Sequence, residues 1–123
     1  CHSGADGVIG VPRLREGSCN AVFPRIAHIP RRNKALTMVR TDSWGTPVLS
    51  SVHGVCASEP GTADALDWRF CWRDWDALRA CASKGRLCHL ALGTGRKHRW
   101  LGRWSDGTPL VRLTVTKSGP LRP

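Results

Sequence analysis

The chain has 123 residues, of which 41% are hydrophobic, and this composition indicates a single globular domain spanning residues 1–123. It contains no run of about 18 apolar residues, so it predicts no transmembrane segment. Nineteen Lys and Arg against nine Asp and Glu give a formal net charge of +10 at pH 7. Such an excess favours a polyanion as the partner, above all nucleic acid.

The positive charge is concentrated at the two ends of the chain. Residues 1–40 carry seven basic and two acidic side chains, and residues 84–123 carry nine basic and one acidic. The centre, residues 41–83, carries three basic and six acidic side chains. A binding face requires such segregation, whereas solubility alone does not. The alternative is that the charge only keeps the protein in solution.

The first half of the chain predicts loops and short strands. Residues 1–35 form a loop-rich basic arm, with residues 7–12 as a brief strand within it. Residues 35–40 predict a second strand because the β-branched Thr37 and Val39 lie among apolar residues. Residues 47–52 are a further candidate strand, since glycines bound them on both sides.

Residues 62–84 predict one long amphipathic helix. Thr62 is placed to cap its first N–H groups, and Gly85 can adopt the left-handed conformation that ends a helix. Apolar residues recur at spacings of three and four and form one stripe: Trp68, Cys71, Trp75, Leu78 and Ala82. We therefore expect the indoles on this helix, including Trp72, to anchor the core.

Residues 98–117 predict a C-terminal β-hairpin. Asp106 and Gly107 are the preferred residues of a two-residue turn because both tolerate positive φ. After the turn, apolar and polar residues alternate from Val111 to Thr116, as in a half-buried strand. Together these elements predict an α+β fold, in which one long amphipathic helix packs on a small, mainly antiparallel sheet with a C-terminal β-hairpin.

The best candidate binding segment is the basic, tryptophan-containing stretch of residues 96–104. Guanidinium groups bind phosphates in bidentate fashion, and exposed indoles provide stacking surfaces for bases. We expect the cations of this stretch to neutralise phosphates and one of its two indoles to stack on a base. The predicted nucleic-acid contacts in this stretch are Arg96, Lys97, Arg99, Trp100, Arg103 and Trp104.

A second basic cluster could extend the same surface. It consists of Arg31, Arg32 and Lys34, which lie in a turn near the end of the N-terminal arm. The alternative for both clusters is structural: the indoles point into the core and the cations only cover the outer surface.

The six cysteines leave two interpretations open. Their irregular spacing favours free thiols, buried as small apolar side chains. An even number in a short chain is also typical of a disulfide framework in a secreted protein. The predicted helix excludes a bridge between Cys71 and Cys81, because ten residues of helix separate them by about 15 Å along the axis.

Metal and catalytic sites have little support in the sequence. Cys81, Cys88 and His89 have side chains that can bind zinc, but no close pair of cysteines marks a structural zinc site. A cysteine hydrolase with Cys71 as nucleophile is disfavoured because Cys71 lies in mid-helix, away from the N-terminal dipole that lowers a thiol pKa. We therefore predict no catalytic residue, no metal and no cofactor, and lean against an enzyme.

We predict a small basic nucleic-acid-binding protein, with RNA favoured, as a structural component of a ribonucleoprotein that also contains protein partners. An intracellular or organellar location is favoured for such a protein. The alternative is a secreted, disulfide-stapled binding module for a protein or glycan partner.

Overall fold

The computed structural model describes residues 2–3, 19–52, 55–56, 61–119 and 121. Three short strands form one small sheet: β1 (His2–Ser3), β2 (Leu36–Met38) and β3 (Thr114–Thr116). β2 lies in the middle, parallel to β1 and antiparallel to β3. The strand predicted at residues 35–40 is therefore confirmed at its centre.

The other two predicted strands have different outcomes. At residues 47–52 the structure forms only an isolated antiparallel bridge, in which Leu49 pairs with Asp42. The N–H of each of these residues donates to the carbonyl of the other, at 2.9 and 3.0 Å. The strand predicted at residues 7–12 lies outside the described residues.

The helical elements follow in chain order. α1 (Cys19–Arg25) is followed by a 3₁₀ turn (Arg31–Asn33). A π-helical segment (Asp67–Trp72) continues directly into α2 (Arg73–Lys84), and the two form one helix of 18 residues, here called the long helix. Two single-turn helices come next, α3 (Cys88–Ala91) and α4 (Arg96–Arg99). Within the described part of the chain, no helix has the length and apolar character needed to cross a membrane.

Local side-chain hydrogen bonds set the two ends of the long helix. The backbone N–H of Leu66 donates to Asp64 Oδ1 at 2.7 Å, and the N–H of Asp64 donates to Asp67 Oδ2 at 3.0 Å. This is a reciprocal capping arrangement, so the capping residue is Asp64 and not Thr62 as predicted. Gly85 ends the helix with a φ of 61°, and its N–H bonds the Cys81 carbonyl, which confirms the predicted stop.

The buried face of the long helix is rotated about its axis from the predicted one, and of the predicted stripe only Cys71 is buried. Leu66, Phe70 and Ala77 are almost completely buried. Trp68 and Trp75 are 59% and 61% exposed, so the prediction that the indoles anchor the core is wrong. The long helix is apolar on two sides, and its inner side also carries buried carboxylates that a hydrophobic pattern assigns to the solvent.

Two clusters of buried residues form the core. The larger cluster joins the long helix to the segments around residues 39–49 and 101–113; its members are Val39, Leu49, Leu66, Phe70, Cys71, Leu101, Leu110 and Leu113. The smaller cluster lies between α1 and the sheet and contains Phe23, Leu36, Met38 and Leu121. The mixed α+β class is confirmed, although much of the layer facing the long helix is irregular chain and not strand.

The C-terminal hairpin is confirmed only in part. The N–H of Gly107 donates to the Trp104 carbonyl at 3.0 Å, and the N–H of Trp104 donates to the Thr108 carbonyl at 2.8 Å. Gly107 has a φ of 90°, so the loop has three residues and ends in a left-handed glycine, unlike the predicted two-residue turn. The arms pair only briefly, because residues 96–99 form α4 and β3 pairs with β2.

Disulfides link the long helix to the segments that precede and follow it. Cys56 is bonded to Cys71, which ties a loop to the long helix, and Cys81 is bonded to Cys88, which joins α2 to α3. Cys19 is also disulfide-bonded, and none of the cysteines in the described residues is a free thiol. The preference for free thiols is therefore wrong, whereas the exclusion of a bridge between Cys71 and Cys81 is confirmed.

The assignment of the buried face of the long helix can be tested with two substitutions on that helix. We expect Phe70→Ala to lower the free energy of unfolding by about 3–5 kcal/mol, because it leaves a cavity in the core. Trp68→Ala should change it by no more than about 1 kcal/mol, because the ring is mostly in water. Urea unfolding followed by circular dichroism measures both. A larger loss for Trp68→Ala than for Phe70→Ala would contradict the assignment of the buried face.

Candidate functional site

α4 separates charged side chains from a buried histidine within a single helical turn. Arg96, Lys97 and Arg99 are exposed, whereas His98 is completely buried. The turn starts after Gly95 and ends at Trp100, which returns to extended backbone. Three of the predicted phosphate contacts are therefore held together on the outer surface by one inward side chain.

A buried ionic network holds His98. Its Nε2 lies 2.9 Å from Asp74 Oδ2, and its Nδ1 lies 2.5 Å from the Gly93 carbonyl oxygen. Both ring nitrogens lie within hydrogen-bond distance of an oxygen, so the two contacts fix the orientation of the buried ring. Arg73 donates to Asp74 Oδ1 through two nitrogens, at 2.9 and 3.1 Å, and to the carbonyls of His98 and Trp100 at 2.7 and 2.6 Å. The network thus fixes α4 to the long helix.

The surface around Trp100 is rich in guanidinium groups. The guanidinium carbons of Arg103 and Arg112 lie 5.4 and 5.8 Å from the centre of the Trp100 ring, within cation–π distance. Arg96 and Lys97 line a shallow hollow with the same indole. Arg112 lies outside the predicted segment and reaches Trp100 only because the chain returns there after the hairpin loop.

Arg69 extends this surface onto the long helix. Its guanidinium packs against Gly102, so closely that a Cβ at that position would collide with it. Gly102 also has a φ of 98°, which favours glycine for a second reason. The Arg99 Nε donates to the carbonyl of Leu113, the residue after Arg112, at 3.2 Å. We call this set the basic face: Arg69, Arg96, Lys97, Arg99, Arg103 and Arg112 around Trp100.

The charges of the basic face are not compensated by neighbouring acids. Within the described ranges, the ion pairs join Arg73 to Asp74, Arg79 to Asp76 and His98 to Asp74. None of them involves a cation of the basic face, and these cations have no further ion pair in that part of the chain. Six positive side chains therefore lie together and remain available to an anionic partner.

The two predicted stacking indoles are placed differently from the expectation. Trp104 packs against the larger core cluster, and its ring lies against Gly45. Trp100 is half-buried, and two guanidinium groups already lie over its ring. Neither indole presents a free face, so the geometry favours recognition by charge over recognition by base stacking.

The second predicted basic cluster lies in and directly after the 3₁₀ turn (Arg31–Asn33) that follows α1. Arg31 and Arg32 are exposed on the 3₁₀ turn. Lys34 instead has a structural contact, because its Nζ donates to the Ile26 carbonyl at 2.8 Å. Lys34 also lines a groove with Trp75, and the structure shows no contact that joins this described cluster to the basic face.

The disulfides occupy the cysteines of the weakly supported zinc site and of the disfavoured cysteine nucleophile. Cys81 and Cys88 are bonded to each other and so supply no thiolate ligands for zinc. Cys71 is bonded to Cys56 and so is no free nucleophile. The described residues contain no group of three or more His, Cys, Asp or Glu side chains that could hold a metal ion.

The hairpin loop carries one perturbed carboxylate. The indole N–H of Trp44 donates to Asp106 Oδ2 at 2.9 Å, and the Thr108 N–H donates to Asp106 Oδ1 at 2.8 Å. These bonds lower the pKa of Asp106 below its ordinary value because they stabilise the ionised form, and the bond from Trp44 has the largest effect. The contact ties the loop at residues 42–49 to the hairpin beside the basic face.

Removal of His98 should destabilise the protein strongly. We expect His98→Ala to cost about 3–5 kcal/mol of unfolding free energy, because it leaves the buried Asp74 without its imidazole partner. The matched control is His89→Ala, at an exposed histidine, which should change stability by about 0.5 kcal/mol or less. Urea unfolding at neutral pH measures both, and equal effects would contradict the buried network.

The Trp44 contact should be lost in acid. Folding lowers the pKa of Asp106. The contribution of the ionised carboxylate to stability is therefore fully present above the ordinary aspartate pKa, and it is lost as the pH falls through the lower pKa of the folded state. We expect the Trp44 indole N–H signal in proton NMR to titrate with a midpoint below that of an ordinary aspartate. Asp106→Asn should abolish this titration, and a midpoint at or above the ordinary value would exclude the bond.

Comparison with known proteins gives no match: no family model fits the chain, and neither a curated protein nor a solved structure matches it. The function must therefore be argued from the chemistry of the site.

Proposed function

We propose that this protein is a disulfide-stapled binding module whose basic face binds a polyanion through the charges of the polymer backbone. The observation that carries the proposal is the group of six exposed or half-buried cations around Trp100, none of which pairs with a carboxylate in the described part of the chain. Such a cluster raises the local positive potential and concentrates a flexible anionic chain at the surface.

Guanidinium geometry favours sulfate, phosphate or carboxylate groups as the contacts. Five of the six cations are arginines, whose planar donors match paired oxygens, whereas Lys97 acts as a point charge. The Trp100 ring supports two of these guanidinium groups and limits their freedom before binding. A surface of this kind recognises a polymer by its density of negative charge and not by the identity of its bases.

Among polyanions, an anionic glycan is the partner that the disulfides favour. Disulfides persist in oxidising compartments, such as the cell exterior, where sulfated and carboxylated polysaccharides are the abundant polyanions. The bonds of Cys56 to Cys71 and of Cys81 to Cys88 support a module that works in such a compartment. The proposed partner is therefore a glycan that carries sulfate or carboxylate groups.

Nucleic acid is the second candidate. It is supported by the net charge of +10 and by the exposed indoles of Trp68 and Trp75, which could stack on bases even though Trp100 and Trp104 do not offer a free face. In this case the basic face would contact phosphates, and the protein could belong to a ribonucleoprotein.

A charge-matched pair of variants tests the basic face. We expect the triple variant Arg96→Ala, Lys97→Ala and Arg103→Ala to bind a heparin oligosaccharide at least about tenfold more weakly at near-physiological salt, with a shallower salt dependence of the binding constant. The control variant, Arg40→Ala, Lys84→Ala and Arg86→Ala, removes the same charge from exposed positions outside both predicted clusters. Isothermal titration calorimetry at several salt concentrations measures both variants.

The two variants and two polyanions separate the possible outcomes. If both triple variants lose affinity equally, only the net charge matters and the site assignment is wrong. If single-stranded RNA of equal length binds more tightly than heparin at the same salt, and loses affinity in the basic-face variant, nucleic acid replaces glycan as the proposed partner. No binding of either polymer by the wild type would refute the polyanion proposal.

A further inference from the structure

The outer side of the long helix carries a continuous apolar surface. Trp68 and Trp75 are 59% and 61% exposed, and Trp72 and Leu78 between and beyond them are 39% and 40% exposed. The rings of Trp68 and Trp72 touch, with centroids 4.2 Å apart in an edge-to-face arrangement. We call these four residues the indole ridge. A contiguous exposed surface of this kind marks an interaction site, unlike single apolar residues scattered over a protein.

The indole ridge continues into a groove whose lining is partly apolar and also includes Asn33, Thr37 and Asp74. Trp75 and Leu78 form one wall of the groove, and Ile26, Ala91 and Leu92 contribute to the others. The polar side chain of Lys34 lies at the same groove and holds the Ile26 carbonyl. The ridge and groove together therefore offer an occupant aliphatic as well as aromatic contacts.

The three indoles of the ridge retain free polar groups. None of their N–H groups has a hydrogen-bond partner among the residues that the structure describes. Each side chain thus combines a broad apolar ring with an unused donor. Indoles with this combination prefer the boundary between water and hydrocarbon, where the ring leaves water and the N–H bonds a polar headgroup.

Positive charge borders the indole ridge on the long helix. Arg69 directly follows Trp68 in the chain, and its guanidinium lies against Gly102 as part of the basic face. Arg79 is exposed farther along the helix and forms a water-exposed ion pair with Asp76, the acidic side chain on this side of α2. Because consecutive residues of a helix project about a quarter of a turn apart, Arg69 lies on the side of the long helix that flanks the ridge, and through it the basic face borders the apolar rings.

We propose that the indole ridge docks on the surface of an anionic lipid bilayer. The indoles and Leu78 would enter the headgroup region, while Arg69 and its neighbours in the basic face would contact lipid phosphates and carboxylates. Charge complementarity selects this occupant over a second copy of the chain, since two molecules of charge +10 repel each other. The aliphatic side chains of Leu78, Ile26 and Leu92 favour a bilayer over a nucleic acid, because they offer no flat ring on which a base can stack.

Vesicle binding tests the proposal with the intact protein. We expect the wild type to co-sediment with vesicles of phosphatidylcholine and phosphatidylserine and to bind vesicles of phosphatidylcholine alone far more weakly. Brominated acyl chains should quench its tryptophan fluorescence. The double variant Trp68→Ala and Trp75→Ala should bind the anionic vesicles roughly tenfold more weakly or worse. The matched control is the double variant Val48→Ala and Val52→Ala, which removes apolar side chains that are 47% and 56% exposed away from the ridge and should bind like the wild type.

Soluble polyanions distinguish this proposal from the proposed function. The variant without the two ridge indoles should keep its affinity for heparin, because the cations of the basic face remain in place. If the wild type binds heparin but does not bind anionic vesicles, the bilayer proposal is refuted and the polyanion proposal is supported. If the ridge variant binds vesicles like the wild type, or if it loses affinity mainly for RNA, the bilayer is excluded as the occupant. The bilayer proposal would also be overturned if sedimentation showed that the wild type is a dimer and that the ridge variant is a monomer.

Discussion

The buried carboxylate of Asp74 is the interaction on which the rest of the architecture depends. A charged group without water requires partners, and Arg73 and His98 supply them from the same helix and from α4. Because Arg73 also holds the carbonyls of His98 and Trp100, the pairing fixes the start of the basic face against the long helix. The orientation of the helix, the position of α4 and the exposure of the cations beside it all follow from this one charge.

Features set by neighbours in the chain could be predicted from the sequence, and those set by distant partners could not. The stop of the long helix at Gly85 was predictable because a left-handed glycine acts locally. The buried side was not, because a hydrophobic pattern places Asp74 in water unless His98 is known to lie beside it. With both sides of the helix apolar, the pattern pointed to the side with the three indoles, whereas the core uses the side with Leu66 and Phe70.

The candidate site shows the same division. The run of cations in residues 96–103 was visible in the sequence, but Arg69 and Arg112 join it only through the folding of the chain around Gly102 and Trp100. The placement of Trp104 in the core also depends on a distant contact, with Gly45. The pairing of cysteines is likewise a property of the tertiary structure, since spacing excluded one bridge and selected none.

Gly93 implies that positions in and behind the basic face differ in the substitutions that they tolerate. A Cβ there would collide with the His89 carbonyl oxygen, so a larger residue would displace the backbone at position 93 and with it the Gly93 carbonyl oxygen that contacts His98 Nδ1. The exposed arginines could drift, be exchanged for lysine or move along the chain at little cost to folding. Lineages that keep this surface should therefore vary in its charged residues while they retain glycine at position 93.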